Sequence, residues 1–140
     1  MKKLGMLLIA FALVALCLFL LPTQARAAEI VSQGNCGYNG DNLRWTLDNE
    51  GTLTISGTGR MAPSIWKNSD LIKKVVIEEG VTDISTSAFE NCDSLTSVTI
   101  PASVTAIYTN AFYGCDGLTS ITISNGVTEI GNNAFHGCSG

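Results

Sequence analysis

The segment "NAFYGCDGLTSITIS" at residues 110–124 decides the fold, because an altered copy, "SAFENCDSLTSVTIP", lies one period earlier at residues 87–101. Apolar and cysteine positions recur at a constant step of 23 residues. The aligned positions are Val81, Val104 and Val127; Ile84, Ile107 and Ile130; Phe89, Phe112 and Phe135, each preceded by Ala; Cys92, Cys115 and Cys138; Leu95 and Leu118; Val98 and Ile121; Ile100 and Ile123. Agreement at so many positions indicates internal repeats.

A diverged first repeat precedes these copies. Steps of 23 residues back from the later strands lead to Ile72, Val75 and Ile77, which keep the apolar character. The same step places Trp66 at the Phe position and Ser69 at the Cys position. We therefore predict an array over residues 58–140 with about three and a half units, the last of them incomplete.

Each repeat predicts one coil of a solenoid. The segment from Leu95 to Ile100 ends in the alternation of a strand with one buried face, and Pro101 ends the hydrogen-bonding ladder because it has no N–H. Val104 and Ile107 are expected to point inward on the return path, and the Ala-Phe pair to lie on a short helical or irregular turn. A single coil cannot bury its own apolar side chains, so the fold requires several in a stack. The predicted class is a repeat solenoid, an arc of stacked parallel β-strands with short helical or irregular return segments.

Residues 28–57 predict a β-hairpin cap at the N-terminal end of the array. Leu43, Trp45 and Leu47 alternate with polar residues, as do Leu53 and Ile55. The turn-forming cluster 48–51 (Asp-Asn-Glu-Gly) separates the two runs, which is typical of a hairpin. Terminal units of solenoids need caps, so we expect this hairpin to cover the open apolar end of the first coil.

Residues 1–27 predict an export signal. Lys2 and Lys3 precede an almost wholly apolar run at 4–21, and Ala25-Arg26-Ala27 supplies the small residues that a signal peptidase needs. A retained membrane anchor is the alternative, because the run approaches the length of about 18 residues that can span a bilayer. A lipoprotein signal is disfavoured because Cys17 follows Leu16 inside the apolar run. After cleavage, no further segment predicts membrane insertion.

The mature chain is acidic. Without residues 1–27 it has five basic side chains against twelve acidic ones, a net charge of −7. No Lys or Arg occurs from Val81 to the end. Nucleic acids and anionic membranes bind through clusters of basic residues, so both are excluded as expected partners.

The combined spacing "VTxIxxxAFxxCxxLTSVTIPxxS" resembles the BspA-like (TpLRR-class) leucine-rich repeats of bacterial surface proteins. The stretch "GNCGYNGDNLRWTLDNEGTLTISGTGRM" at residues 34–61 is similar to the segment that often precedes such arrays. The resemblance implies an exported arc with parallel strands along one side, secreted or at the cell surface, used for adhesion or protein binding.

The repeat pattern predicts another strand after Gly140, so we expect these residues to be part of a longer array. If the chain ended there, the uncapped last coil should fray or self-associate, because exposed strand edges and apolar faces promote association.

Few residues suggest chemistry, and we predict no catalytic site, cofactor or metal. Zinc ligands are bunched at short spacing, whereas three of the four mature cysteines lie one coil apart, so we expect buried thiols at Cys36, Cys92, Cys115 and Cys138. Disulfides between adjacent coils stay open as an alternative because export permits oxidation. His136, the only histidine, occupies an outward position, and no nucleophile, metal-protease or phosphate-binding motif accompanies it. The run 39–42 (Asn-Gly-Asp-Asn) predicts a turn rather than a calcium loop, because the spacing of the loop ligands is absent.

The solvent side of the strands is the predicted ligand-binding surface. Its residues are Lys74, Val76, Ser97, Thr99, Ser120 and Thr122. The simpler interpretation is that Ser and Thr only keep a β-surface soluble. We predict an exported, non-catalytic binding module for a protein or glycan on a host or neighbouring cell surface. The alternatives are the targeting or substrate-binding region of a larger secreted enzyme, with its catalytic domain beyond residue 140, and a structural spacer.

Overall fold

The computed structural model describes residues 27–38 and 40–140, and it contains nine β-strands and no helix within them. Most of the predicted export signal lies outside the described residues. The strands are β1 Ile30–Gly37, β2 Gly40–Asp48, β3 Thr52–Gly57, β4 Gly59–Arg60, β5 Lys74–Ile77, β6 Val81–Ile84, β7 Ser97–Thr99, β8 Ala106–Ile107 and β9 Glu129–Ile130.

The strands form two sheets that run along a solenoid of about three turns. The first sheet has five strands in the order β1-β2-β3-β5-β7, and the second has four in the order β4-β6-β8-β9. Strands contributed by successive coils pair in parallel, with Val75 beside Val98 in the first sheet and Ile84 beside Ile107 in the second. The predicted solenoid of stacked parallel strands is confirmed.

The hairpin predicted between residues 41 and 56 is present, and a third strand extends it. β2 and β3 pair antiparallel with Trp45 opposite Ile55, and β1 pairs antiparallel with the other edge of β2. Gly37 and Gly40 are paired, so the connection between β1 and β2 is a tight turn, while Asp41 and Asn42 already belong to β2. Turn chemistry therefore explains only the beginning of the run at 39–42.

The third cap strand, β3, is also the first strand of the parallel stack. Leu53 lies beside Val75 and Ile55 beside Ile77, an offset of 22 residues rather than 23. The cap therefore does more than cover an apolar end, because its backbone continues the hydrogen-bonding ladder of the coils. The boundaries at 1–27, 28–57 and 58–140 stay predictions.

The return path carries the second sheet and irregular turns, so of the two predicted forms for this segment the irregular one is present. Val104 and Ile107 are fully buried, as expected. The turn around each Ala-Phe pair is held by backbone bonds between coils: the N–H of Phe89 donates to the carbonyl of Ala111, and Phe112 repeats this contact with Ala134. The sequence predicted the inward positions but not the strands β6, β8 and β9.

A continuous aromatic column forms the centre of the core. Trp66, Phe89, Phe112 and Phe135 stack nearly parallel, with ring centroids 5.2, 5.2 and 5.5 Å apart. Trp45 of the cap meets Trp66 edge to face, with centroids 6.3 Å apart and ring planes at 89°. Edge-to-face contact closes the column at the cap.

Two left-handed backbone positions recur in every coil. The first series is Ser64, Ser87, Asn110 and Asn133, and the second is Asn68, Asn91, Gly114 and Gly137; φ lies between 53° and 79° in all eight. Asn and Gly tolerate this conformation better than other residues, so their appearance at these columns has a backbone cause.

The last coil is less buried than those before it. Ile123 is 38% and Ile130 is 52% exposed, whereas the equivalent Ile100 and Ile107 are 7% and 0% exposed. The predicted strand around Ile121 is reduced to one parallel bridge, between Thr99 and Thr122. Exposure of this apolar end agrees with the expected tendency to self-associate, which stays a prediction.

Candidate functional site: the threonine face of the first sheet

The side of the first sheet that points away from the core carries nearly all the predicted binding residues. Inward side chains such as Val75 and Ile77 are buried, and the alternate residues Lys74 and Val76 lie on the other side. We call this side the threonine face and define it by Gln33, Asn35, Arg44, Thr46, Thr52, Thr54, Ser56, Lys74, Val76, Ser97, Thr99, Ser120 and Thr122.

The six sequence-predicted residues form two adjacent rows on this face. Val76 pairs with Thr99, and Thr99 with Thr122, while Lys74 pairs with Ser97. In the first row Thr99 and Thr122 are exposed and Val76 is half-buried. In the second row Lys74 and Ser120 are exposed and Ser97 is half-buried. The sequence thus placed these residues together correctly, and whether they bind a ligand stays a prediction.

The threonine face extends into the cap, which sequence reasoning missed. Thr54 lies beside Val76, Thr46 beside Thr54, and Gln33 beside Thr46. One row therefore crosses six chain segments from Gln33 to Thr122. The 22-residue offset between β3 and β5 hid this continuity from a search at the 23-residue period, and the β1–β2 and β2–β3 pairs are antiparallel and have no period at all.

A shallow recess opens on the cap end of this face. It has a volume of about 340 Å³ and is lined by Gln33, Gly34, Arg44, Trp45, Thr46 and Ser56. Arg44 is held there because its Nη1 donates a 2.9 Å hydrogen bond to Oδ1 of Asn35. Each hydroxyl on the face can donate one hydrogen bond and accept two, so the face suits a partner rich in amide or hydroxyl groups.

A second recess, of about 250 Å³, lies at the cap turn and has a structural explanation. Its polar lining includes Asp48, whose Oδ1 accepts hydrogen bonds from the backbone N–H of Glu50 and Thr52, at 2.9 and 2.8 Å. The bond from the Thr52 backbone is the main reason that the pKa of Asp48 is lowered. The carboxylate is therefore engaged in holding the turn between β2 and β3.

The four cysteines are free thiols, and Cys36, Cys92 and Cys115 are buried, as predicted; Cys138 is half-buried. Each repeat thiol donates to a carbonyl of the preceding coil: Cys92 to Trp66, Cys115 to Phe89 and Cys138 to Phe112, at 3.1, 3.1 and 3.2 Å. Burial raises the pKa of Cys36 and of Cys92 to about 11, that of Cys115 to about 12, and that of Cys138 in the same direction. Thiols with such pKa values are poor nucleophiles.

His136 is exposed, as predicted, and lies in a column of outward side chains. Its ring stacks on Tyr113 with centroids 5.3 Å apart. In the preceding coils the same column holds Lys67 and Glu90, whose Nζ and Oε1 are 2.9 Å apart. A hydrogen bond with Ser87 and this Lys67 contact lower the pKa of Glu90. These contacts join neighbouring coils and form no catalytic arrangement.

Within residues 27–38 and 40–140, no group of three acidic, His or Cys side chains is arranged to hold a metal ion. The same residues contain no helix long and apolar enough to cross a bilayer.

The fold and the repeat spacing are those of a known repeat family, whose model, described as a BspA-type leucine-rich repeat region (6 copies), matches residues 60–140. The chain belongs to the BspA-type leucine-rich repeat family.

Solved structures of bacterial leucine-rich repeat proteins are similar to this chain. A protein from Eubacterium ventriosum is 30% identical with a TM-score of 0.67, over 75% of this chain and 29% of that one. A protein from Bacteroides ovatus, 24% identical, has a TM-score of 0.55 over 70% of this chain and 32% of that one. The T. pallidum leucine-rich repeat protein, 18% identical with a TM-score of 0.52, shares 67% of this chain and 64% of its own, and supports the fold. Among curated proteins, none matches this chain.

The chain thus spans about a third or less of the length of the first two of these relatives. The family assignment indicates a module for protein interaction. It gives no ligand.

Proposed function

We propose that this protein is an exported, non-catalytic binding module that attaches to a protein or glycan on a host or neighbouring cell surface through its threonine face. The single observation that supports this proposal most is the continuity of that face: one register of outward side chains crosses the cap and the coils, from Gln33 to Thr122.

The chemistry of the face favours binding by hydrogen bonds and shape. Lys74 and Arg44 are its only charged side chains, and they lie on different strands. Extended surfaces built from repeated coils are what solenoid proteins use to bind partners. A regular array of short hydroxyl side chains loses little conformational entropy on binding, because Ser and Thr have few rotatable bonds.

Export and surface location belong to the same proposal. The N-terminal run of basic, apolar and small residues is the pattern of a secretory signal, and the family resemblance is to bacterial surface proteins. The free thiols are consistent with an oxidising location because the repeat thiols are enclosed between coils, where oxidants have little access.

The proposal is tested by charge placement on the face. Fluorescent beads coated with the protein are incubated with fixed mammalian epithelial cells and with fixed bacterial cells, and bound beads are counted. Thr99→Lys with Thr122→Lys should reduce binding by at least about tenfold, because two ammonium groups would have to be desolvated within a hydrogen-bonded contact.

The matched control places the same charges elsewhere. Thr105 and Thr128 are also exposed threonines one coil apart, and the Oγ1 of each donates to a carbonyl of the preceding coil. Thr105→Lys with Thr128→Lys should leave bead binding unchanged. Equal losses in both double variants would show a general effect of charge, and no loss in either would refute the assignment of this face.

A further inference from the structure

A group of four side chains on the second sheet is not explained by coil stacking. We call it the Arg60 cluster and define it by Tyr38, Arg60, Asp83 and Tyr108. The Cζ of Arg60 lies 5.7 Å from the ring centroid of Tyr38 and 5.2 Å from that of Tyr108. Its Nη2 donates a 3.0 Å hydrogen bond to the hydroxyl of Tyr108, and its Nε is 3.6 Å from Oδ2 of Asp83.

The Arg60 cluster interrupts the repeat at outward positions. The positions equivalent to Arg60 in the later coils are Asp83, Ala106 and Glu129, and those equivalent to Tyr108 are Ala62, Ser85 and Gly131. No other coil has Arg at the first position or an aromatic residue at the second. Residue types that the core requires recur in every coil here, as the aromatic and cysteine columns do. An arginine and a tyrosine that occur once, and that meet across two coils, are therefore not required by the stack.

The guanidinium is held in place but remains open to solvent. The side chain of Arg60 is 53% exposed and Tyr38 is 63% exposed. Nε faces Asp83 and Nη2 is bonded to Tyr108, while Nη1 has no hydrogen-bond partner among the described residues. The outer edge of the guanidinium, formed by Nη1 and Nη2, can therefore still donate. A planar fork that is already ordered loses less entropy when a carboxylate binds to it.

We propose that the Arg60 cluster is a second recognition site, which takes a carboxylate side chain of a partner protein. The charge pattern places the carboxylate here, because Arg60 is the only basic residue in the four strands of the second sheet. Tyr and Arg are also the residues most enriched where protein interfaces gain most of their affinity. A protein segment fits better than a sugar ring, because each tyrosine already has the guanidinium against one face of its ring.

This site is separate from the threonine face, which belongs to the other sheet, so the two proposals can fail independently. Asp83 limits the charge that the partner can bring. Its carboxylate accepts from the Thr82 hydroxyl at 2.6 Å and partly neutralises Arg60. The partner is therefore expected to present an isolated carboxylate and not a dense acidic run.

Arginine side-chain NMR tests the proposal directly. The full chain has three arginines, Arg26, Arg44 and Arg60, so the ¹⁵Nε–¹H signals are few and can be assigned. The probe is the peptide acetyl-Gly-Glu-Gly-amide, titrated into the labelled protein at constant ionic strength, and its counterpart acetyl-Gly-Gln-Gly-amide. We expect the Arg60 signal to shift with saturation for the Glu peptide and not for the Gln peptide.

Variants separate recognition from a purely structural role. Arg60→Lys keeps the charge but loses the planar fork, and the affinity for the Glu peptide should fall about tenfold. Lys67→Gln removes a charge elsewhere and should leave that affinity unchanged. An unmoved Arg60 signal at millimolar peptide would overturn the proposal and leave the cluster as a strut between cap and coils. Equal shifts for both peptides, or for all arginines, would also overturn it.

Discussion

Replacing Phe112 by alanine tests how strongly the coils depend on the aromatic column. Phe112 is fully buried and stacks on Phe89 at 5.2 Å and on Phe135 at 5.5 Å. Deleting a buried Phe side chain costs about 3–5 kcal/mol, and each stacked aromatic pair contributes about 0.5–1.5 kcal/mol beyond burial. We expect Phe112→Ala to lower the free energy of unfolding by about 4–5 kcal/mol, a large share of the stability of a small domain.

Phe135 supplies the matched comparison, because it belongs to the same column but is only half-buried and has one stacked neighbour among the described residues. Phe135→Ala should therefore cost about 2 kcal/mol. Phe112→Leu keeps an apolar side chain and loses the stacking, so we expect a cost of about 1–2 kcal/mol.

The assay is urea unfolding at constant temperature, followed by far-ultraviolet circular dichroism and by the fluorescence of Trp45 and Trp66. Both probes should report the same midpoint if the cap and coils unfold together. Equal losses for Phe112→Ala and Phe135→Ala, or a loss below about 1.5 kcal/mol for Phe112→Ala, would refute the reasoning that the column carries the core.

The remaining predictions concern the thiols, one glycine and the cap. The free energy of unfolding should be constant from pH 6 to 8 and fall between about pH 9 and 11, because the unfolded thiols ionise near their ordinary pKa of 9.0 while burial raises the folded pKa of Cys36 and Cys92 to about 11 and of Cys115 to about 12; urea midpoints across this range check it, and Cys92→Ser with Cys115→Ser should flatten the profile. Iodoacetamide at pH 8 should modify Cys138 first, since it is only half-buried, and the other three on unfolding; mass spectrometry of peptides gives the order. Gly114→Ala should cost about 1–2 kcal/mol, because φ is 67° and the new Cβ would lie 2.5 Å from Oδ1 of Asn91; Gly114→Asn should cost less, and thermal unfolding compares them. Trp45→Phe should be milder than Trp45→Ala, since an aromatic edge would still close the column at Trp66; thermal unfolding of both variants checks this order.

The coil architecture could be predicted from sequence because the repeat makes one decision many times. A buried strand position such as Val98 is ambiguous alone, but its agreement with Val75 and Ile121 at a fixed step leaves one reading. The same redundancy placed the thiols in the core. It could not supply their partners, since the bond from Cys115 to the carbonyl of Phe89 depends on the path of the backbone between coils.

The cap and the Arg60 cluster were less predictable, for the same physical reason. β3 joins the stack with a 22-residue offset, and Tyr38, Arg60 and Tyr108 come from the cap and from two different coils. Neither relation repeats, so no period reveals it. The left-handed series at Ser64 and Asn68 did have a signal, because Asn and Gly occupy the matching positions of later coils.

The continuity of the threonine face from cap to coils is the central claim, and a single substitution in the cap tests it most directly. Thr54 lies on β3 beside Val76, one strand outside the coils that the repeat pattern defines. In the bead-binding assay, Thr54→Lys should reduce binding to the same cell surface as Thr99→Lys does, while Thr105→Lys should not. Full binding by a correctly folded Thr54→Lys protein, with binding lost in Thr99→Lys, would contradict a face that includes the cap.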